Sequence, residues 1–310
     1  MSDSDGHPTE TVLVHNPRSG SGDHGSLVRD RAALLGYTVV ESEHETHAID
    51  LAEAAASRGA DEVVAVGGDG TLNEVVRGVA RADALDSVTV GVIPAGTGND
   101  FATNVGVSSI EEGFRVLEEG QRRDLDLGQA NGRPFVNSCL AGIVAEASDE
   151  TSAEMKSAFG VLAYLLSTVQ LATEFTGIEL SASVVTGAVE ESVWEGEAAF
   201  ALVGNGRRFA LSGSEQADLE DGLLDITLVE DVGSTTLVGD RLRERLLASE
   251  GEHVTRFLAS TLELTVDEDD PASFSLDGEV VDAGSMTLST RRGVLRMPVG
   301  ETYQPRPAVE

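Results

Sequence analysis

Short apolar runs rich in valine alternate with amphipathic stretches from Thr11 to about Arg123, and this alternation predicts strands and helices in turn. Thr11–His15, Glu62–Val66 and Val88–Ile93 read as buried parallel strands, and Tyr37–Glu41 as a further strand. Ser26–Leu35, closed by Gly36, reads as a helix, as do Ile49–Arg58, stopped by Gly59, Asn73–Arg81, and Ile110–Glu119 before Gly120. Strand–helix alternation of this kind predicts a parallel sheet with right-handed crossovers.

Beyond about Asp124 the period changes to two. Arg133–Ser138, Ile178–Val185, Ser192–Val203, Leu224–Val229, Leu262–Val266, Ser273–Leu276 and Ser285–Thr290 alternate apolar with polar residues between Gly, Asp and Ser turns. That is an all-β pattern, and a sandwich is expected. Two helical stretches interrupt it, Ala153–Thr173 and Ser234–Ser249. Two domains with a cleft between them follow.

Three glycine-bearing stretches follow the first-half strands: Asn16-Pro17-Arg18-Ser19-Gly20, Gly67-Gly68-Asp69-Gly70-Thr71-Leu72-Asn73-Glu74, and Pro94-Ala95-Gly96-Thr97-Gly98-Asn99-Asp100-Phe101-Ala102. One such loop is more often a tight bend than a ligand site. Three at the carboxyl ends of parallel strands converge on one crevice, where glycine lets main-chain N–H groups approach a phosphate.

Charge narrows the partners. Fifty-four acidic residues against 21 basic ones leave a formal charge of -33 over 310 residues, spread along the chain. Dense carboxylates suit a salt-rich cytoplasm, so a halophilic host is expected, and a nucleic-acid partner is not. The one cysteine, Cys139, excludes an intramolecular disulfide and a Cys-cluster metal site, and reads as a small buried residue. Met1–Glu10 lacks the regions of a signal peptide, and the most apolar stretch, Phe159–Ala172, is too short to span a membrane. A soluble, cytoplasmic protein is expected.

Asp69 within the second loop and Asp100 in the third place carboxylates beside the expected phosphates. Those charges repel unless a divalent cation lies between them, which points to ATP with Mg²⁺, although either acid alone could be a turn or N-cap residue. A second acidic group, Leu276-Asp277-Gly278-Glu279, reads as a hairpin turn or as a turn that reaches the cleft. Histidines offer no competing site: His44 and His47 lie in a polar segment, and His7, His24 and His253 read as isolated.

These motifs resemble the catalytic domain shared by diacylglycerol kinases, sphingosine kinases and related bacterial lipid kinases. Asn16 to Gly20, Gly67 to Val75, Pro94 to Ala102 and Asp277 to Glu279 meet the family pattern in order. The resemblance implies a Rossmann-like α/β nucleotide-binding domain over residues 1–124 with a return segment at about 292–310, near Val294–Val299, and a β-sandwich lipid-acceptor domain over 125–291. It implies ATP on Asn16, Pro17, Arg18, Ser19 and Gly20, on Gly67, Gly68, Asp69, Gly70, Thr71 and Asn73, and at Thr97 and Asn99, with Thr46 as a further contact. Asp69, Asp100, Asp126 and Glu279 would form an acidic network around Mg²⁺. Asp277 would be the general base, with Asp69 second. Asp221, with the carbonyls of Asp218 and Leu223, would hold a structural Mg²⁺. Ser21-Gly22-Asp23-His24-Gly25 departs from relatives that carry a lysine there, a cation that Arg18 could replace. The implied reaction moves the γ-phosphoryl of ATP to a lipid hydroxyl, diacylglycerol-like, ether-linked or sphingoid, at a membrane surface touched only peripherally. A homodimer is left open. The alternatives are a soluble kinase of the NAD kinase type and a nucleotide-binding regulator without turnover.

Overall fold

The computed structural model describes residues 10–142, 177–186, 189–206, 216–230, 253–266 and 271–305. The chain divides into two units, residues 1–125 with 293–303, and residues 126–292 with 304–310. The helical expectations over 153–173 and 234–249, and the apolar stretch 159–172, lie outside the described residues.

In the first unit four parallel strands stand in the order β2 (Thr38–Glu41), β1 (Thr11–His15), β3 (Glu62–Gly67), β4 (Thr89–Pro94). Both β1 and β3 are buried along their whole length, which is why their sequences are apolar without alternation. Helices α1 (Gly25–Leu35), α2 (His47–Ser57), α3 (Asp69–Arg81), α4 (Asp100–Asn104) and α5 (Ile110–Glu119) complete it. Leu13, Val64, Val66 and Ile93 from the sheet pack with Val28 and Ala32 of α1 and Phe114 and Leu117 of α5. Gly36 ends α1 in the left-handed region (φ 74°), where a Cβ is unfavourable, and its N–H reaches the Ala33 carbonyl. α3 begins at Asp69, four residues before the expected Asn73, so the second glycine loop is a tight strand-to-helix turn: Gly67 ends β3, Gly68 precedes the helix, and Asp69–Glu74 form its start.

The second unit is antiparallel and sandwich-like. Its strands join one sheet in the order β14 (Glu279–Ala283), β13 (Ala272–Leu276), β7 (Ser138–Gly142), β9 (Val189–Gly204), β8 (Ile178–Thr186), β12 (Thr261–Val266), β15 (Ser285–Val299), β5 (Gln121–Ala130), β6 (Arg133–Phe135), while β10 (Leu224–Glu230) pairs with β9 and β11 (Val254–Ala259) with β10. Strands β5 and β15 carry the chain from one unit to the other. β15 is one 15-residue strand that runs from the expected strand Ser285–Thr290 through the expected return segment near Val294–Val299, with Gly293 in the left-handed region (φ 63°) within it. The core draws on alternate residues of its strands, as Leu224, Ile226 and Leu228 of β10 and Leu262 and Leu264 of β12 show.

Candidate active site

β1, β3 and β4 are neighbours, so the loops that follow them meet at one end of the sheet. They pack main chain on main chain. A Cβ on Gly96 would stand 2.3 Å from Gly68 Cα and 2.6 Å from its nitrogen, and one on Gly20 would stand 2.6 Å from the Ala95 carbonyl oxygen. The N–H of Asp69 donates to the Gly98 carbonyl (3.1 Å), that of Ala95 to Gly67 (2.9 Å), and that of Asn16 to Val66 (2.9 Å). Side chains brace the loops. Asn16 Nδ2 donates to Thr71 Oγ1 (3.3 Å), its Oδ1 accepts from the Arg18 N–H (3.1 Å), and Asn99 exchanges two hydrogen bonds with the main chain of Gly96. The half-buried Pro17 turns its carbonyl toward Gly22, and Thr97 in the third loop is exposed.

Asp69 fastens the second loop to the third. Its Oδ2 accepts from the Asp100 N–H (2.9 Å) and its Oδ1 from that of Phe101 (3.0 Å), so it caps α4 from another helix. The cap reading of this residue holds, although the helix it caps is not its own. Asp100 itself is exposed. Thr46 sits in the left-handed region (φ 64°), its N–H held by Glu74 Oε1 at 3.2 Å, next along α3 from the buried Asn73. Among the described residues the Asn73 Oδ1 has no hydrogen-bond partner. Arg18 reaches the Glu43 carbonyl through one guanidinium nitrogen.

The remaining expected residues belong to the second unit. Asp277 and Gly278 (φ 48° and 94°) make a two-residue hairpin turn between β13 and β14, where Leu276 faces Glu279. The Asp277 carboxylate accepts three main-chain N–H bonds, from Val136 (2.6 Å), Asn137 (2.9 Å) and Ser138 (2.8 Å), while its own N–H donates to the Ser138 carbonyl. Glu279 pairs with Arg133. Asp126, buried, accepts the Gly222 N–H at Oδ2 (2.6 Å), and Asp218 and Asp221 each close a short turn onto the N–H two residues on, at Glu220 and Leu223. Asn205, which the sequence did not single out, donates through Nδ2 to the carbonyls of both Asp126 and Val136 (3.2 Å each) and so ties these two groups together. Beside them burial, and then the Asp277 charge, push the Cys139 thiol up, which leaves it inert.

The structure brings together the residues expected to bind phosphate in the first unit, and joins Asp126 to the 218–223 turn and to the Asp277 clamp in the second. Among the described residues no three of His, Cys, Asp or Glu form a metal-holding group. Nor does any described helix have the length and apolarity to cross a membrane. The reading of isolated histidines needs correction: His24 hydrogen-bonds to the buried His15 (3.1 Å) beneath the first loop, and His253 Nδ1 lies 2.9 Å from Glu230 Oε2. The available signal was a histidine closing the otherwise apolar run Thr11–His15.

The diacylglycerol kinase catalytic domain model matches residues 10–130, and the model for the YegS C-terminal NAD kinase beta sandwich-like domain matches residues 137–299. The chain belongs to the diacylglycerol kinase and YegS-like lipid kinase family, and it is an enzyme of that class. A Pseudomonas aeruginosa protein named "Probable lipid kinase YegS-like" is 29% identical, covering 96% of this chain and 97% of its own. The diacylglycerol kinase of Bacillus subtilis is 29% identical over 86% of this chain and 88% of its own. A crystal structure of a diacylglycerol kinase from Bacillus anthracis shares the fold with a TM-score of 0.69 at 21% identity, covering 96% of this chain and 98% of that one.

Proposed function

We propose that this chain transfers the γ-phosphoryl group of ATP to the hydroxyl of a lipid. The observation that carries the reading is the main-chain packing of the three loops. Gly20, Gly68 and Gly96 stand where a Cβ would meet another loop's backbone, while Gly70, in the first turn of α3, has nothing within 4 Å of a Cβ position. A surface lined by glycine and a helix N-terminus fits phosphate oxygens, and the unpartnered Asn73 Oδ1 fits a hydroxyl donor such as those of a ribose.

Asn16 to Gly20, Gly67 to Asn73, Thr97 and Asn99 hold the nucleotide in this reading, with Thr46 beside them. Asp277 takes the proton of the acceptor hydroxyl, with Asp69 as the second candidate, and Glu279 supports it. Mg²⁺, when bound, neutralises phosphate charge. Asp69 and Asp100 suit it, since this ion needs few protein carboxylates when phosphate and water complete its shell. Asp126, and the turn of Asp218, Asp221 and Leu223, are the further candidates to hold it. The acidic composition supports operation in high salt, and the lipid acceptor implies peripheral contact with a membrane surface.

The test is incubation of the purified chain with γ-labelled ATP, Mg²⁺ and a total lipid extract in molar KCl. Label should enter the organic phase. With NAD offered alongside, label found on NAD instead would establish a soluble kinase, and label on no acceptor, with ATP still bound, a regulator without turnover.

A further inference from the structure

The first loop rests on a chain of side chains that phosphoryl transfer does not use. His15 is fully buried, with Nδ1 3.3 Å from Glu41 Oε1 and Nε2 3.1 Å from Nδ1 of His24. His24, itself buried, turns Nε2 toward the loop, 3.0 Å from the Ser19 carbonyl oxygen and 3.3 Å from Ser19 Oγ. That hydroxyl donates to the Asn16 carbonyl (2.8 Å). Two imidazoles thus bridge a carboxylate at one end and a carbonyl at the other.

Proton counting makes this arrangement unusual. Both ends accept, so each needs a ring N–H, and the contact between the rings needs a third. Two neutral imidazoles carry only two. With two, one of the three contacts goes without a proton: a lone pair faces Glu41 or the Ser19 carbonyl, or the two rings meet lone pair to lone pair. A third proton, drawn from solvent with no other bond broken, satisfies every contact and places a positive charge under the loop.

We infer that His15 and His24 form a proton-linked strut, positioning residues that take up one proton when the loop Asn16–Gly20 binds a phosphate anion. The inference rests on the reading of that loop as a phosphate site. Glu41 faces the pair from β2, Arg29 from α1, where its Nη1 lies 2.7 Å from Glu41 Oε1, and Asp23 from the loop itself. Burial keeps His15 below the ordinary imidazole range, against the pull of Glu41. The proton belongs to the pair, and its titration is that of a coupled unit.

Calorimetry of ATP binding to the whole chain, in buffers of different ionisation enthalpy, tests the coupling. We expect proton uptake, and an affinity that falls by up to about tenfold per pH unit between pH 6 and 8. His24→Gln, which cannot titrate, should bind ATP with little pH dependence. Binding by the native chain that is flat in pH with no proton uptake, or a variant that keeps the native slope, would overturn the strut. Ring-nitrogen NMR without nucleotide separates its failure from that of the phosphate reading. The pair should gain a third ring proton as pH falls from about 8 to 5.5 with the fold intact. Two protons retained until unfolding would overturn the strut, whether or not ATP binds.

Discussion

The two units fasten their candidate site residues by opposite means. In the first, glycines bring three loops into main-chain contact and side chains only brace them, whereas in the second a single carboxylate, Asp277, gathers three consecutive N–H groups from a segment about 140 positions away. A main-chain cradle is sensitive to any added atom and tolerant of changes in charge. A carboxylate clamp is the reverse: it tolerates neighbouring volume but not loss of one acceptor. The contrast ranks what substitutions should do.

Asp277→Ala should have the largest effect. It strands the N–H groups of Val136, Asn137 and Ser138, all in buried residues, at a cost of about 1–3 kcal/mol for each donor left without a partner. Urea unfolding should show a large fall in midpoint. Asp277→Asn keeps one acceptor oxygen and should lose less stability. If Asp277 is also the base, this variant abolishes label transfer while ATP binding survives; substantial turnover by a folded variant would assign Asp277 to the clamp alone. Next comes Gly96→Ala, whose methyl group would overlap the backbone of Gly68 and cost about 1–3 kcal/mol. ATP binding should fall with stability, and unchanged ATP binding would show that this packing does not hold the nucleotide.

The same contrast explains what the sequence disclosed. Gly68 and Gly96 show directly that no side chain fits there, and the buried strands Thr11–His15 and Glu62–Gly67 read as apolar because both faces are covered. Asp277-Gly278 could be read as a hairpin turn, but its hold on residues 136–138 could not, since nothing local to Val136 or Asn137 marks an N–H as awaiting a carboxylate. Asn205 was silent for the same reason. His15 was assigned to a strand and His24 to a loop because each looks ordinary alone, and only the fold of β1 against the loop brings their rings together. The strand β14 went unread, its five residues carrying two acids, because an edge strand needs only one apolar face.

A smaller, pH-dependent effect belongs to the first unit. Burial, opposed by Glu41 and aided by His24, holds His15 below its ordinary value, so the folded chain binds fewer protons there than the unfolded one. The sign follows: the contribution of His15 is present above pH 6.5 and is lost as pH falls from there toward the lowered folded value. The slope is at most about 1.4 kcal/mol per pH unit for one proton. Urea midpoints from pH 7.5 to 5 should decline accordingly, and His15→Asn should flatten that decline. An undiminished decline in the variant would move its source elsewhere.

Gly70→Ala carries the smallest stability change and separates packing from ligand contact most cleanly. Unlike Gly68 and Gly96, Gly70 lies inside α3 with nothing within 4 Å of a Cβ position, so alanine fits and should stabilise the helix by about 0.5–1 kcal/mol. Any loss of ATP affinity must then come from the ligand and not from the fold. If phosphate oxygens approach the first turn of α3, the methyl group stands in their path, and ATP should bind less tightly to a protein that unfolds at the same or higher urea concentration. Unchanged affinity would place the phosphates away from this turn, on the first and third loops, and would make the second glycine stretch a packing device that serves the other two.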